Sequence, residues 1–229
     1  MGRRSRRLTA IRRMISPIRP LLHRTTPVSP TWGFERGTPI DRVYIDAFIG
    51  RHRGDIRGHV LEVLDTRYSG QFNSRVTRRD VLDIDAANPA ATIVADLTRA
   101  DSVPADSFDC FILTQTLQYV SDPAAAIGHA HRLLRPGGVL LATVPSIIRS
   151  EQDSTDRWRF TERSCQELFG GSFGENRIAV SADGNILAAI AFLSGMAREE
   201  FPAAKLAQSD PRFPVVISVR AVKGPAPVP

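Results

Sequence analysis

Residues 62–68, Glu62-Val63-Leu64-Asp65-Thr66-Arg67-Tyr68, place two carboxylates and two hydroxyls within one short stretch. The apolar run around them (Val60, Leu61, Val63, Leu64) reads as a short buried strand with Glu62 near its end, where a parallel α/β sheet presents its ligand-binding loops. The stretch begins like a cofactor-binding turn and then omits the glycines that let a backbone approach a ligand closely. Gly70 permits a turn only a few residues later. Upstream, Arg36, Arg42 and Tyr44 are placed to reach an acidic or hydroxylated group if the helix beginning at Pro39 closes over a ligand. Cys110 and Cys165 have neither the spacing of metal ligands nor that of a disulfide framework, so no metal site is expected and a reducing cytoplasm fits.

These groups need elements to position them. In "WGFERGTPIDRVYIDAFI" Thr38 is placed to cap a helix, with Pro39 at its first position and an apolar stripe of Ile40, Tyr44 and Phe48 facing a sheet. From Val60 the chain alternates strand-like and helix-like segments: "HVLEV", "DVLDI", "ATIVADL", "FDCFILT", a helix over 123–134, then "GGVLLATVP". That order is the mark of a doubly wound parallel sheet with helices on its faces. The link between "DVLDID" and "TIVADL" is too short for a full helix, so one crossover is expected as a loop. "RPGG" ends the helix and turns the chain into the next strand. Towards the C-terminus "NRIAVSADG" and "FPVVISVRAV" read as strands flanking a buried helix, "NILAAIAFLSGMAREE".

With 42% apolar residues, 229 residues suffice for one core of ordinary size. The expected organisation is a basic arm over 1–30, one domain over 31–223 and a tail over 224–229. Residues 1–24 hold eight arginines and no acid, which leaves the rest of the chain at a formal −2 within the net +6. A body without a basic surplus argues against nucleic acid as its partner. The arm places Leu8, Ile11, Ile15, Ile18 and Leu22 three or four apart among its arginines, as in a helix lying on an anionic membrane, although Pro17 and Pro20 cut such a helix short. Peripheral membrane contact, organelle targeting and a plain solvated leader are the open readings of the arm.

The segment "SFDCFILTQTLQYVSDPAAAIGHAHRLLRPGGVLLATVP" resembles the fourth strand, following turn, helix and "LKPGG" fifth strand of class I S-adenosylmethionine-dependent methyltransferases. The similarity extends over roughly residues 58–222. It implies a Rossmann-like methyltransferase fold, a mainly parallel seven-stranded sheet with its last strand, within 213–221, antiparallel. It also implies S-adenosylmethionine as cofactor. Asp83, or next to it Asp85, matches the acid that holds the ribose hydroxyls, and Asp96 with the backbone of Leu97 matches the adenine site. Thr114 and Gln115 leave the fourth strand where the methionine part and the acceptor normally meet. The family's "ExGxGxG" falls on 62–68 with all three glycines replaced, so Glu62 is retained and Asp65 and Thr66 are left to contact the amino acid end through side chains.

For the transfer step the resemblance supplies no base. Tyr119 stands where the family often has a histidine and serves to line the pocket, while His129 and His131 read as ordinary helix residues. Arg157, Trp158 and Arg159 in "DRWRFT" fall over the pocket mouth, suited to a planar or anionic acceptor. Gln115, Tyr119 and Arg157 are therefore the candidate acceptor-site residues, and the acceptor implied is a small molecule or a glycan precursor. A nucleotide-dependent dehydrogenase is disfavoured, because its pyrophosphate needs the glycine-rich turn more strictly. The alternative is a non-catalytic protein that keeps the fold to bind or scaffold a partner.

Overall fold

The computed structural model describes residues 24–72, 75–150 and 155–225. Most of the expected basic arm, as far as residue 23, and the end of the expected tail, 226–229, lie outside the described residues. The elements in chain order are α1 (Ile40–Arg51), β1 (Gly58–Val63), β2 (Val76–Asp83), β3 (Ile93–Val94), β4 (Phe108–Thr114), α2 (Pro123–Leu133), β5 (Leu134–Pro145), α3 (Glu162–Phe173), β6 (Ile178–Asp183), α4 (Ile186–Leu193), α5 (Ala203–Leu206) and β7 (Val216–Val222). The sheet has seven strands in the order β3-β2-β1-β4-β5-β7-β6. All pairs are parallel except those of β7, which is antiparallel to both β5 and β6, as the resemblance implies, and which reaches Val222, one residue beyond the expected span.

Strand alternation divides the core into two layers. Leu61, Phe111, Leu113 and Leu140 face α2 and α3, while Val60, Cys110, Ile112, Val139 and Leu141 face α1 and α4. The stripe of α1 is as its spacing requires: Ile40, Tyr44 and Phe48 are buried, joined by Ile45 and Ile49. Its cap differs from expectation. Thr38 makes no cap, because its N–H and hydroxyl both donate to the Glu199 carboxylate at 2.9 and 2.8 Å. That contact ties the entry segment to the far end of the chain. Asp122 and Asn185 do cap α2 and α4, accepting from the N–H of Ala125 and Ala188.

The crossovers are leaner than the alternation suggests. Between β1 and β2 the described residues form one 3-10 turn, Ser69–Phe72, and no α-helix. Within this turn the buried Glu62 carboxylate accepts the N–H groups of Tyr68 and Ser69 at 2.8 and 2.9 Å and pins the chain against the end of β1. "ATIVADL" yields only the two residues of β3, which pair with Leu82 and Asp83. Beside them, Asp80 accepts from Thr92 at 2.8 Å and lies 2.6 Å from His59 Nε2, whose Nδ1 is 3.0 Å from the Ser107 carbonyl. This polar network joins β1, β2 and the approach to β3.

Candidate functional site

β1 pairs in parallel with β2 on one side and β4 on the other, so the order in which strands are added switches side at β1. In an open parallel sheet a crevice forms at the carboxyl ends of strands where the order reverses. A cleft of about 570 Å³ lies there, lined among others by Leu64, Asp83, Ile84, Asp96, Leu97 and Gln115. Tyr119 and Arg157 line it from the turn after β4 and the segment after β5.

Asp83 closes β2. Partial burial raises its pKa, but the N–H of Asp85 at 3.0 Å and the Asn88 amide at 2.6 Å outweigh that and hold the carboxyl below its ordinary value. Asp96 caps the 3-10 turn Leu97–Ser102, and the hydroxyl and N–H of Thr98, at 2.7 and 2.8 Å, lower its pKa likewise. Both are therefore acceptors at neutral pH, with lone pairs left for a ligand. Ile84, 71% exposed, and the buried Leu97 follow them and supply apolar surface.

The first turn keeps an unusual backbone. The Asp65 N–H donates to the Val63 carbonyl at 2.9 Å around Leu64, whose φ is 71°. A three-residue turn of this hand is rare and strained. Leucine thus holds a left-handed conformation at the first glycine position of the motif, and its side chain is 64% exposed. Asn88, which no sequence pattern marked, braces this turn: its amide donates to the Leu64 carbonyl at 2.7 Å as well as to Asp83. Leu64→Gly should raise the unfolding free energy by about 1 kcal/mol, strain relief outweighing the added freedom of the unfolded chain. A denaturant titration checks it, and a loss of stability would show that the leucine side chain packs.

The remaining expected residues are placed differently. Glu62 is buried and anchors the turn rather than lining the cleft, and burial raises its pKa against its two amide donors. Asp65 is exposed and accepts from the N–H of Arg67 at 2.7 Å, and neither it, Thr66 nor Asp85 lines the cleft. Asp85 accepts from Ala87 N–H. Thr114 pairs with Thr143 at the end of β4, next to Gln115, whose φ is 49°.

The three residues expected to reach a ligand from α1 and its entry are occupied. Arg36 makes a bidentate pair with Glu200, Arg42 donates to the Tyr68 hydroxyl, and the buried Tyr44 donates to the Leu206 carbonyl. Over the mouth, Arg157 donates to the carbonyls of Tyr119 and Thr155 and still lines the cleft. Trp158 donates to the Val120 carbonyl and Arg159 grips Asp156 at 2.6 and 2.8 Å. Gln118, missed by sequence reasoning, accepts the N–H groups of Arg157 and Trp158 on its carbonyl and so fastens this segment to the turn after β4. His131 packs edge-on against Phe173. The two thiols are buried, which pushes Cys165 up to about 12 and Cys110 higher, so neither is a nucleophile at neutral pH.

Residues 56–142 match the family described as methyltransferase domain. No curated protein matches the sequence. Among solved structures the chain is similar to the [4+2]-cyclase SpnF, with a TM-score of 0.54 and 14% identity over 94% of this chain and 96% of that one. It is also similar to an S-adenosylmethionine-dependent methyltransferase from Mesorhizobium loti (TM-score 0.54, 17% identity, 80% of this chain and 98% of that one). A further likeness is to a SAM-dependent methyltransferase from Archaeoglobus fulgidus (TM-score 0.52, 11% identity, 80% and 94%). Identities this low speak for a common fold.

Proposed function

We propose that this chain, whose residues 56–142 match a methyltransferase domain, is a class I S-adenosylmethionine-dependent methyltransferase that binds S-adenosylmethionine in the cleft at the carboxyl ends of β1, β2 and β4 and methylates a small molecule or glycan precursor. The observation that carries this reading is the repeated acid–apolar pair, Asp83-Ile84 and Asp96-Leu97, on the wall of one cleft. A carboxylate accepts two hydrogen bonds from a diol, and an adjoining aliphatic side chain covers a flat ring. Asp83 is assigned to the ribose hydroxyls, and Asp96 with the Leu97 backbone to adenine. Leu64 keeps the backbone conformation that glycine ordinarily supplies at the first turn, which supports the fit of the cofactor's adenosine half.

When bound, the cofactor supplies a methyl group on a positively charged sulfur. What this chain contributes is alignment, the chief requirement of an in-line displacement. Gln115 and Tyr119 orient the acceptor, and Arg157 meets its anionic part. Tyr119 is a poor base near neutral pH, so it is assigned to alignment and to no proton transfer.

Titration calorimetry of the chain with S-adenosylhomocysteine tests the reading, and binding in the micromolar range is expected. Absence of heat and of any thermal shift at millimolar ligand would favour a second reading, a methyltransferase fold kept for another use. Two observations support that alternative: the amides of Tyr68 and Ser69 are committed to Glu62, and one structural neighbour is a cyclase.

A further inference from the structure

All eight residues of α4 are apolar. A helix that is apolar all round belongs in a core or in lipid, and the sequence reading buries it. In the structure only one side is covered: Ala188, Ala189, Ala191 and Phe192 are buried. Ile186, Ile190 and Leu193, at spacings of four and three, are 51%, 42% and 50% exposed. They form one stripe along the outer side of the helix. Phe34, 54% exposed, rides on the turn whose Gly33 packs against the backbone of Gly195 and Met196, at the carboxyl end of the same helix.

The chain joins the body at that end. The stretch from Arg24 to Val28 lies against Leu193 and Ser194, and the Val28 N–H donates to the Ser194 carbonyl at 2.7 Å. The residues before Arg24 carry seven arginines and no acid, interleaved with Leu8, Ile11, Ile15, Ile18 and Leu22. The acids near this end of α4 already hold partners: Glu35 holds Thr31, Glu199 holds Thr38 and Glu200 holds Arg36. The arginines therefore call for an anionic surface outside the protein, beside an apolar stripe that calls for a non-aqueous one.

We propose that the outer face of α4 and the N-terminal segment together dock on an anionic lipid surface, the isoleucines and leucine at the acyl boundary and the arginines on headgroup phosphates. One such signal gives marginal, reversible attachment, and two together give a stable one. Among the described residues no helix is long and apolar enough to cross a membrane.

Co-sedimentation of the full chain with phosphatidylcholine–phosphatidylglycerol vesicles, against phosphatidylcholine alone, tests this. Binding to the mixed vesicles only is expected, falling as salt rises. Ile190→Glu with Leu193→Glu should weaken it at least tenfold without moving the thermal midpoint, since both side chains are half exposed; deleting residues 1–23 should weaken it and flatten the salt dependence. Ile186→Gln with Ile190→Gln is the milder companion should the glutamates disturb folding. No binding by the wild type overturns the proposal, as does full binding by both stripe variants, which would leave the arm acting alone. A dimer in size-exclusion chromatography that the stripe variants dissolve, with vesicle binding unchanged, would assign the stripe to a second copy of the chain and overturn it equally.

Discussion

Glu62→Ala should lower the thermal midpoint by roughly 10 °C, although the residue does not line the cleft. Its carboxylate is 2% exposed and accepts the N–H groups of Tyr68 and Ser69. Truncation leaves two amides without an acceptor, each a bond to a charged group worth about 1.5 to 3 kcal/mol. Partial relaxation brings the loss to about 3 kcal/mol, and in a chain of this size each kcal/mol moves the midpoint about 2–4 °C. Glu62→Gln keeps the volume but sets an amide donor against one of the two N–H groups, so it should lose about half as much. Midpoints within about 2 °C of wild type for both variants would show that the turn stands without its anchor. Burial raises the Glu62 pKa above the ordinary 4.5 despite the amides. The folded state thus holds that proton to higher pH than the unfolded chain does. Stability from this group falls as pH rises from about the ordinary value to the raised folded one, and Glu62→Gln should remove that slope.

Asp83→Ala and Asp96→Ala should each weaken binding of S-adenosylhomocysteine roughly ten- to a hundredfold in calorimetry, through loss of hydrogen bonds made by a charged group. Asp83→Ala should leave the midpoint nearly unchanged, because its present partners, the Asp85 N–H and the Asn88 amide, lie in a solvent-facing loop. Asp96→Ala also removes the cap on Thr98, at about 1 kcal/mol, so Asp96→Asn separates the cap from the ligand contact. Equal binding by both alanine variants and wild type would keep the enzyme class and remove these two assignments.

The sheet was legible because strands buried on both faces read as unbroken apolar runs, as in "FDCFILT" and "GGVLLATVP", and because "RPGG" punctuates them. Asp83 and Asp96 could be named since each directly follows such a run. Contacts between residues far apart in sequence were not legible. Thr38 looks like a cap until Glu199 takes its hydroxyl, 161 positions away. The turn after β1 is pinned by a buried carboxylate reaching forward six and seven residues, where a pattern of residue types shows only a polar turn. Asn88 lies in a loop with nothing to distinguish it, and its role appears only once β1 and β2 stand side by side. The strain at Leu64 is a property of the backbone, and leucine is the last residue from which to expect it.

The shortness of β3 has a consequence for the protein in concentrated solution. Two residues of β3 cover only Leu82 and Asp83, so among the described residues Val76–Asp80 of β2 borders the sheet with no strand beyond it. A bare row of amides and carbonyls at a sheet margin is a template on which another molecule's strand can add. Arg78 stands in that row, its side chain 68% exposed and 3.2 Å from Asp80. An incoming strand would have to strip water from that guanidinium before its first hydrogen bond formed, a cost that charged residues on a sheet margin impose on edge-to-edge addition.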